Sequence, residues 1–161
     1  MADTLIHWLQ WMENSFVAVS IRQSLFLYPA LEIIHILGIV LLVGAACMFD
    51  LRLLGFSKKI PIKDLADHLL TWSKRGLWLI VPSGLLLFIT NAEVLGFNPV
   101  FWTKIIFIFF GALNAFAFHK AIEKSSRITN VGSSPFSYKI SAIISLVVWT
   151  TVISCGRLLA Y

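Results

Sequence analysis

An acid and two groups that trade protons sit inside one apolar run: Glu32, His35 and Asp50, between Leu25 and Asp50. A carboxylate and an imidazole three residues apart are neighbours on a helix surface. Such a pair can hold a small cation or pass a proton. Glu32 and Asp50 are 18 residues apart, which is five full helical turns, so they share one face. The stripe from Glu32 through Ile39, Val43 and Ala46 to Asp50 is expected to face other helices. It would place Glu32 and His35 as an outer relay and Asp50 at the inner mouth. A central charge in a bilayer costs roughly 2.5–3.5 kcal/mol on insertion scales, so these residues mark either an ion or proton path or a structural charge pair.

Two later runs carry candidate partners. Lys104, Gly111, Ala115 and His119 share a helical stripe, and so do Thr150, Ser154 and Arg157. Counting depth, Glu32 falls within long-side-chain reach of Lys104 and Arg157, while Asp50 falls near His68, Lys74 and Arg75. The relay set is therefore Glu32, His35, Asp50, Lys104 and Arg157, and the inner mouth holds Arg52, His68, Lys74, Arg75 and His119. The plain alternative is that Lys104 and Arg157 snorkel to the surface and that the charges only orient helices, in a non-catalytic membrane scaffold or complex subunit. A second chemistry is haem b, with His35, His68 and His119 as ligand candidates. Bis-histidine ligation needs two rings at one depth, which His68 and His119 approach. Gly84 and Gly111 lie near His35 in depth and suit either a flat ring or close helix packing. The soft donors Cys47, Met48 and Cys155 are scattered in depth and build no copper site. No nucleophile–base constellation appears, so the residues leave open whether the chain is an enzyme.

These groups have to be positioned by membrane helices. The chain is 58% hydrophobic and only 13% charged, with a mean hydropathy of +0.85; a soluble domain is about a quarter charged. The pattern predicts an all-α, single-domain membrane protein over residues 1–161. Four spans, at about 25–50, 68–91, 101–122 and 138–159, form an up-down bundle. Pro29 falls in a first helical turn, Pro82 inside the second span, and Gly55 and Pro61 bracket a basic loop. An amphipathic helix over about 3–20 precedes the spans, with Leu5, Leu9, Met12 and Phe16 on one face and Trp8 and Trp11 at headgroup level.

Of the 13 lysines and arginines, ten fall on one side of the spans. They are Arg52, Lys58, Lys59, Lys63, Lys74, Arg75, Lys120, Lys124, Arg127 and Lys139. Arg22, Lys104 and Arg157 fall on the other. Positive charge stays cytoplasmic, so both termini are expected outside a bacterial inner membrane. The basic balance thus reflects topology and not nucleic acid. The expected partners are the lipid bilayer and a second copy of the chain, through Gly38, Gly44, Gly84 and Gly111.

The stretch Glu32-Ile-Ile-His35-Ile-Leu-Gly38, followed by Gly44 and by Phe49-Asp50-Leu-Arg52-Leu-Leu-Gly55, resembles the first helix of a family of small bacterial membrane proteins of unknown function. The likeness continues through Asn98-Pro-Val-Phe101 and Lys104 to Asn114. It implies a four-helix architecture, assigns no activity, and draws attention to Glu32, His35, Asp50, Arg52 and Lys104. A further similarity, to copper-resistance membrane proteins with a histidine early in a span, rests on His35, and their metal chemistry is not carried over.

Overall fold

The computed structural model of the protein describes residues 2–56, 60–124 and 136–159. The basic residues Lys58, Lys59 and Arg127, and most of the loop expected over 125–137, lie outside the described residues. The described residues form seven helices and no strand: α1 (Ala2–Glu13), α2 (Phe16–Gln23), α3 (Leu27–Leu54), α4 (Ile62–Thr90), α5 (Ala92–Gly96), α6 (Pro99–Lys124) and α7 (Phe136–Leu158).

Local chemistry sets the breaks. The helix expected over 3–20 is two helices, because Ser15 stops the first and caps the second. Its backbone is extended and its hydroxyl accepts the Ala18 N–H at 3.3 Å, satisfying a donor that the first turn leaves orphaned. Ser24 does the same for the Leu27 N–H at 3.3 Å, and Pro29 follows in the first turn of α3, where no N–H is needed. Gly55 ends α3 in the left-handed region, φ 110°. Its N–H reaches the Arg52 carbonyl at 3.2 Å and the Phe56 N–H reaches Leu51 at 3.0 Å, a glycine-closed terminus. α4 starts directly after Pro61 and runs unbroken through Pro82. The turn expected at 91–99 holds the short α5.

Among the described residues three helices are long and apolar enough to cross a membrane: Leu27–Leu54, Pro99–Lys120 and Phe136–Leu158, with mean hydropathies of 2.3, 1.8 and 1.6. The protein is a membrane protein by this measure. α4 has the length, at 29 residues, but its first half carries Asp64, Asp67, His68, Lys74 and Arg75.

α3 packs on α4 and on α7, and α6 packs on α7, while no Cα of α4 comes within 8 Å of one of α6 among the described residues. The α3–α4 crossing is backbone on backbone. A Cβ on Gly76 would stand 2.8 Å from the Leu42 nitrogen and 2.9 Å from the Gly38 carbonyl oxygen. A Cβ on Gly38 would stand 2.8 Å from Ile80 Cγ1. Gly111 takes the α7 residues Val148 and Trp149 in the same way, at 3.2 and 3.5 Å. Gly38, Gly84 and Gly111 thus serve contacts within the chain, contrary to their expected use between copies. Gly44 alone of the four faces open space.

The two ends of the helices are finished differently. At the basic end, Leu53, Ile62 and Ala142 form a buried core, joined by Phe49, Leu54, Phe118 and Tyr138. The rings of Phe49, Phe118 and Tyr138 meet edge to face at 5.5 and 5.1 Å. At the other end α1, α2 and α5 make a cap. Leu9 is buried against Gly96, Trp102 Nε1 donates to the Gly96 carbonyl at 2.8 Å, and Trp8 and Trp11 remain exposed. Glu13 organises this cap. Its carboxylate pairs with Arg22 at 2.8 Å and accepts the Glu93 N–H, in the first turn of α5, at 2.9 Å.

Candidate functional site

Two groups of polar residues stand out, one towards the cap and one at the basic end. The first centres on His35 of α3, which is half-buried. Its Nδ1 lies 2.9 Å from Ser83 Oγ on α4. The Ser83 hydroxyl donates back to carbonyls of its own helix, Leu79 and, at 3.3 Å, Ile80. Its proton being committed there, its oxygen accepts from His35, so Nδ1 carries the hydrogen. In the neutral ring the bare nitrogen is therefore Nε2, free to act as base, acceptor or ligand. Gly84 makes room for the ring: a Cβ there would stand 3.0 Å from His35 Cε1.

Lys104, in the second turn of α6, lies within electrostatic range of His35. Its Nζ is 3.8 Å from where a Gly156 Cβ would stand, beside Cys155 of α7. No ion pair reaches Lys104 among the described residues, so the expected Glu32–Lys104 pair does not form there. Glu32 is exposed. It sits beside Tyr28, whose hydroxyl bonds to the Asn91 side chain, so this edge of α3 looks toward the end of α4 and away from α6. The expected stripe is buried at its Val43 and Asp50 end and open at its Glu32 end. Thr150, Ser154 and Arg157 are exposed on α7; the first two hydroxyls donate to carbonyls one turn back, at 2.7 and 2.9 Å.

The second group centres on Asp50, 6% exposed. Ser145 of α7, itself buried, hydrogen-bonds to the carboxyl. Oδ2 has no hydrogen-bond partner among the described residues. The basic partners expected for it lie elsewhere. His68, Lys74 and Arg75 are exposed on α4, Arg75 with its guanidinium 4.8 Å over the Trp72 ring. His119, on α6, is half-buried. It has no hydrogen bond or ring contact with His68 among the described residues, and their helices stay apart. Arg52, 2% exposed, turns to the loop and donates from Nε to the Ile60 carbonyl at 2.8 Å. Beside this group Asn114 and Ser141 tie α6 to α7, Asn114 Nδ2 donating to the Ser141 carbonyl at 3.1 Å and Ser141 Oγ donating to Asn114 Oδ1 at 2.9 Å.

Sequence reading missed Ser83, Ser145 and Asn114. Ser83 had a signal, since it precedes Gly84 and interrupts an apolar run. Ser145 and Asn114 had none that separates them from ordinary helix hydroxyls and amides. No group of three or more metal-ligating side chains occurs among the described residues. The arrangement offers single groups: a histidine with a defined tautomer, a lone ammonium and a lone carboxyl. No curated protein and no solved structure matches the chain. A family model does match, over residues 8–161, which take in both polar groups and every helix that frames them: the chain belongs to the family of unknown function DUF6644.

Proposed function

We propose that the protein is a four-span protein of the bacterial plasma membrane that binds or passes a small cation, the proton foremost. The observation that carries this reading is Asp50, a carboxyl buried in a span with a bonded Ser145 on one side and an unpartnered Oδ2 on the other. Metal cations need several oxygen ligands, whereas a proton needs one, and a lone intramembrane carboxyl is the group that proton pathways use. His35 and Glu32 supply further titratable positions toward the cap. α4 is the fourth span, entering with its charged turns in the headgroup layer. From Gly76 to Thr90 it offers about 22 Å of helix at 1.5 Å per residue, short of a hydrocarbon core of roughly 30 Å, so the turns just before Gly76 must complete the crossing with their charges reaching back to the interface. Both termini lie outside and the basic end faces the cytoplasm. Pairing with a second copy would use the open surface at Gly44. Proton flux into proteoliposomes, followed with an entrapped pH dye, tests the reading. Asp50→Asn should remove flux while leaving the thermal melt in place. Wild-type flux at the level of empty liposomes overturns it.

A second reading is a haem b protein, favoured by one observation. The Nδ1–H of His35 is held by oxygen, which fixes the ring and leaves Nε2 bare, the form in which histidines ligate metals. Purification from haem-replete cells and an absorption spectrum decide it. A Soret band lost in His35→Ala supports this reading, and its absence from the wild type removes it.

A further inference from the structure

We propose that Lys104 and His35 form a binding site for the carboxylate of a single-chain lipophilic acid, reached from the bilayer through the seam between α4 and α6. The argument begins with charge. Lys104 sits in a helix apolar enough to span a membrane, with a thiol, a glycine and an imidazole around its ammonium. Among the described residues it has no carboxylate within ion-pair distance and no hydrogen-bond acceptor. A cation so placed favours an oxyanion, and the nearest acid of α3, Glu32, is exposed on another edge and does not supply one.

The surroundings suit an anion with an apolar tail. His35 Nδ1 is engaged by Ser83, so a protonated His35 would donate to a carboxylate from Nε2. The His35 ring packs directly on Gly84, and the Lys104 ammonium lies against Gly156, so neither basic group is screened by a side chain at those two positions. The backbones of α4 and α6 stay more than 8 Å apart, and the seam between them is bridged towards the cap by Phe88 and Phe101, stacked at 5.2 Å. A chain entering from the lipid would therefore be roofed by aromatic rings and stopped by the ammonium. Lys104 is only two turns into α6, about 8 Å along the axis from its start. A carboxylate on a single chain can sink that far, whereas a two-chain phospholipid keeps its phosphate at the surface. The site is distinct from Asp50 and does not depend on proton passage.

The test uses the whole protein in nanodiscs of zwitterionic lipid, titrated with the fluorescent fatty acid cis-parinarate. The expected result is saturable binding displaced by oleate but not by oleyl alcohol or phosphatidylglycerol. Lys104→Gln should weaken it about tenfold and Lys104→Arg should largely keep it, as loss and retention of a charge-assisted hydrogen bond predict. Displacement by oleyl alcohol as readily as by oleate, displacement by phosphatidylglycerol, or unchanged affinity in Lys104→Gln would each overturn the proposal. Should Lys104→Gln fail to fold, the wild-type contrast between oleate and oleyl alcohol decides the chemistry. His35→Phe then decides the place, since unaltered binding in that variant puts the ligand elsewhere.

Discussion

At the basic end, aromatic rings, a glycine-closed helix terminus and the Asn114–Ser141 pair lock α3, α6 and α7 together around a buried carboxyl. Towards the cap the polar group is a half-buried ammonium on α6 and a half-buried imidazole on α3, and α4 and α6 have no backbone contact at any depth among the described residues. The basic end thus leaves a negative group without a cation, and the capped end a positive group without an anion. Each is a poor arrangement for stability, since an uncompensated charge in a low-dielectric setting is costly. Their placement on opposite halves, too far apart to neutralise each other, argues that packing was arranged around the groups and not the groups around packing. What differs is access. Asp50 is buried, whereas Lys104 is half-buried beside Gly156 and Cys155 of α7.

The crossing that holds the two halves in register should be the most sensitive point. Gly76→Ala is expected to destabilise by about 3 kcal/mol, the upper part of the range for overpacking, because its Cβ meets backbone atoms that cannot swing aside. Gly44→Ala, with nothing within 4 Å, should melt like the wild type or slightly above it. Equal melts for the two variants would break the description of the crossing. Next in size is Asn114→Ala, which removes the acceptor of the Ser141 hydroxyl and an added donor to the Ser141 carbonyl at the closed end. A loss of about 1–2 kcal/mol is expected, read from thermal melts in detergent. Ser83→Ala, towards the cap, should cost under about 1 kcal/mol. It should also let the neutral His35 ring populate both tautomers, visible in the 15N shifts of a histidine-labelled sample. A ring that keeps a single tautomer would show that Ser83 does not set it. Smallest of all should be the lone charges. Lys104→Met and Asp50→Asn should leave the melting temperature unchanged or raise it. A marked fall in either would reveal a counter-charge and erase the contrast between the ends.

The frame was readable because it follows from hydropathy and from local caps. The apolar runs gave the long helices to within a few residues, Gly55 and Pro61 marked the turn between α3 and α4, and Pro29 sat in a first turn as its chemistry requires. The break at Ser15 was missed. The apolar spacing of Leu5, Leu9, Met12 and Phe16 runs straight through it, and the capping serine looks like any other polar residue on a wet face. The sites were legible in their residues but not in their pairings. Helical register says which residues of one helix share a face, and says nothing about how a neighbouring helix is rotated. Asp50 therefore seemed within reach of α4 cations and instead meets Ser145, and Glu32 seemed aimed at Lys104 and instead stands beside Tyr28. Gly84 and Gly111 were both expected near His35 in depth; Gly84 meets the His35 ring, whereas Gly111 meets Val148 and Trp149.

Glu13 draws in a matter of biogenesis. Its bond to the Glu93 N–H spans 80 residues of sequence, so α1 has its docking partner only after α3 and α4, which follow it in the chain, have been made. Until then the apolar face of α1, with Leu9 at its centre, must wait at the membrane surface. Contacts of such long sequence separation form late, so the cap should be the last part of the fold to close.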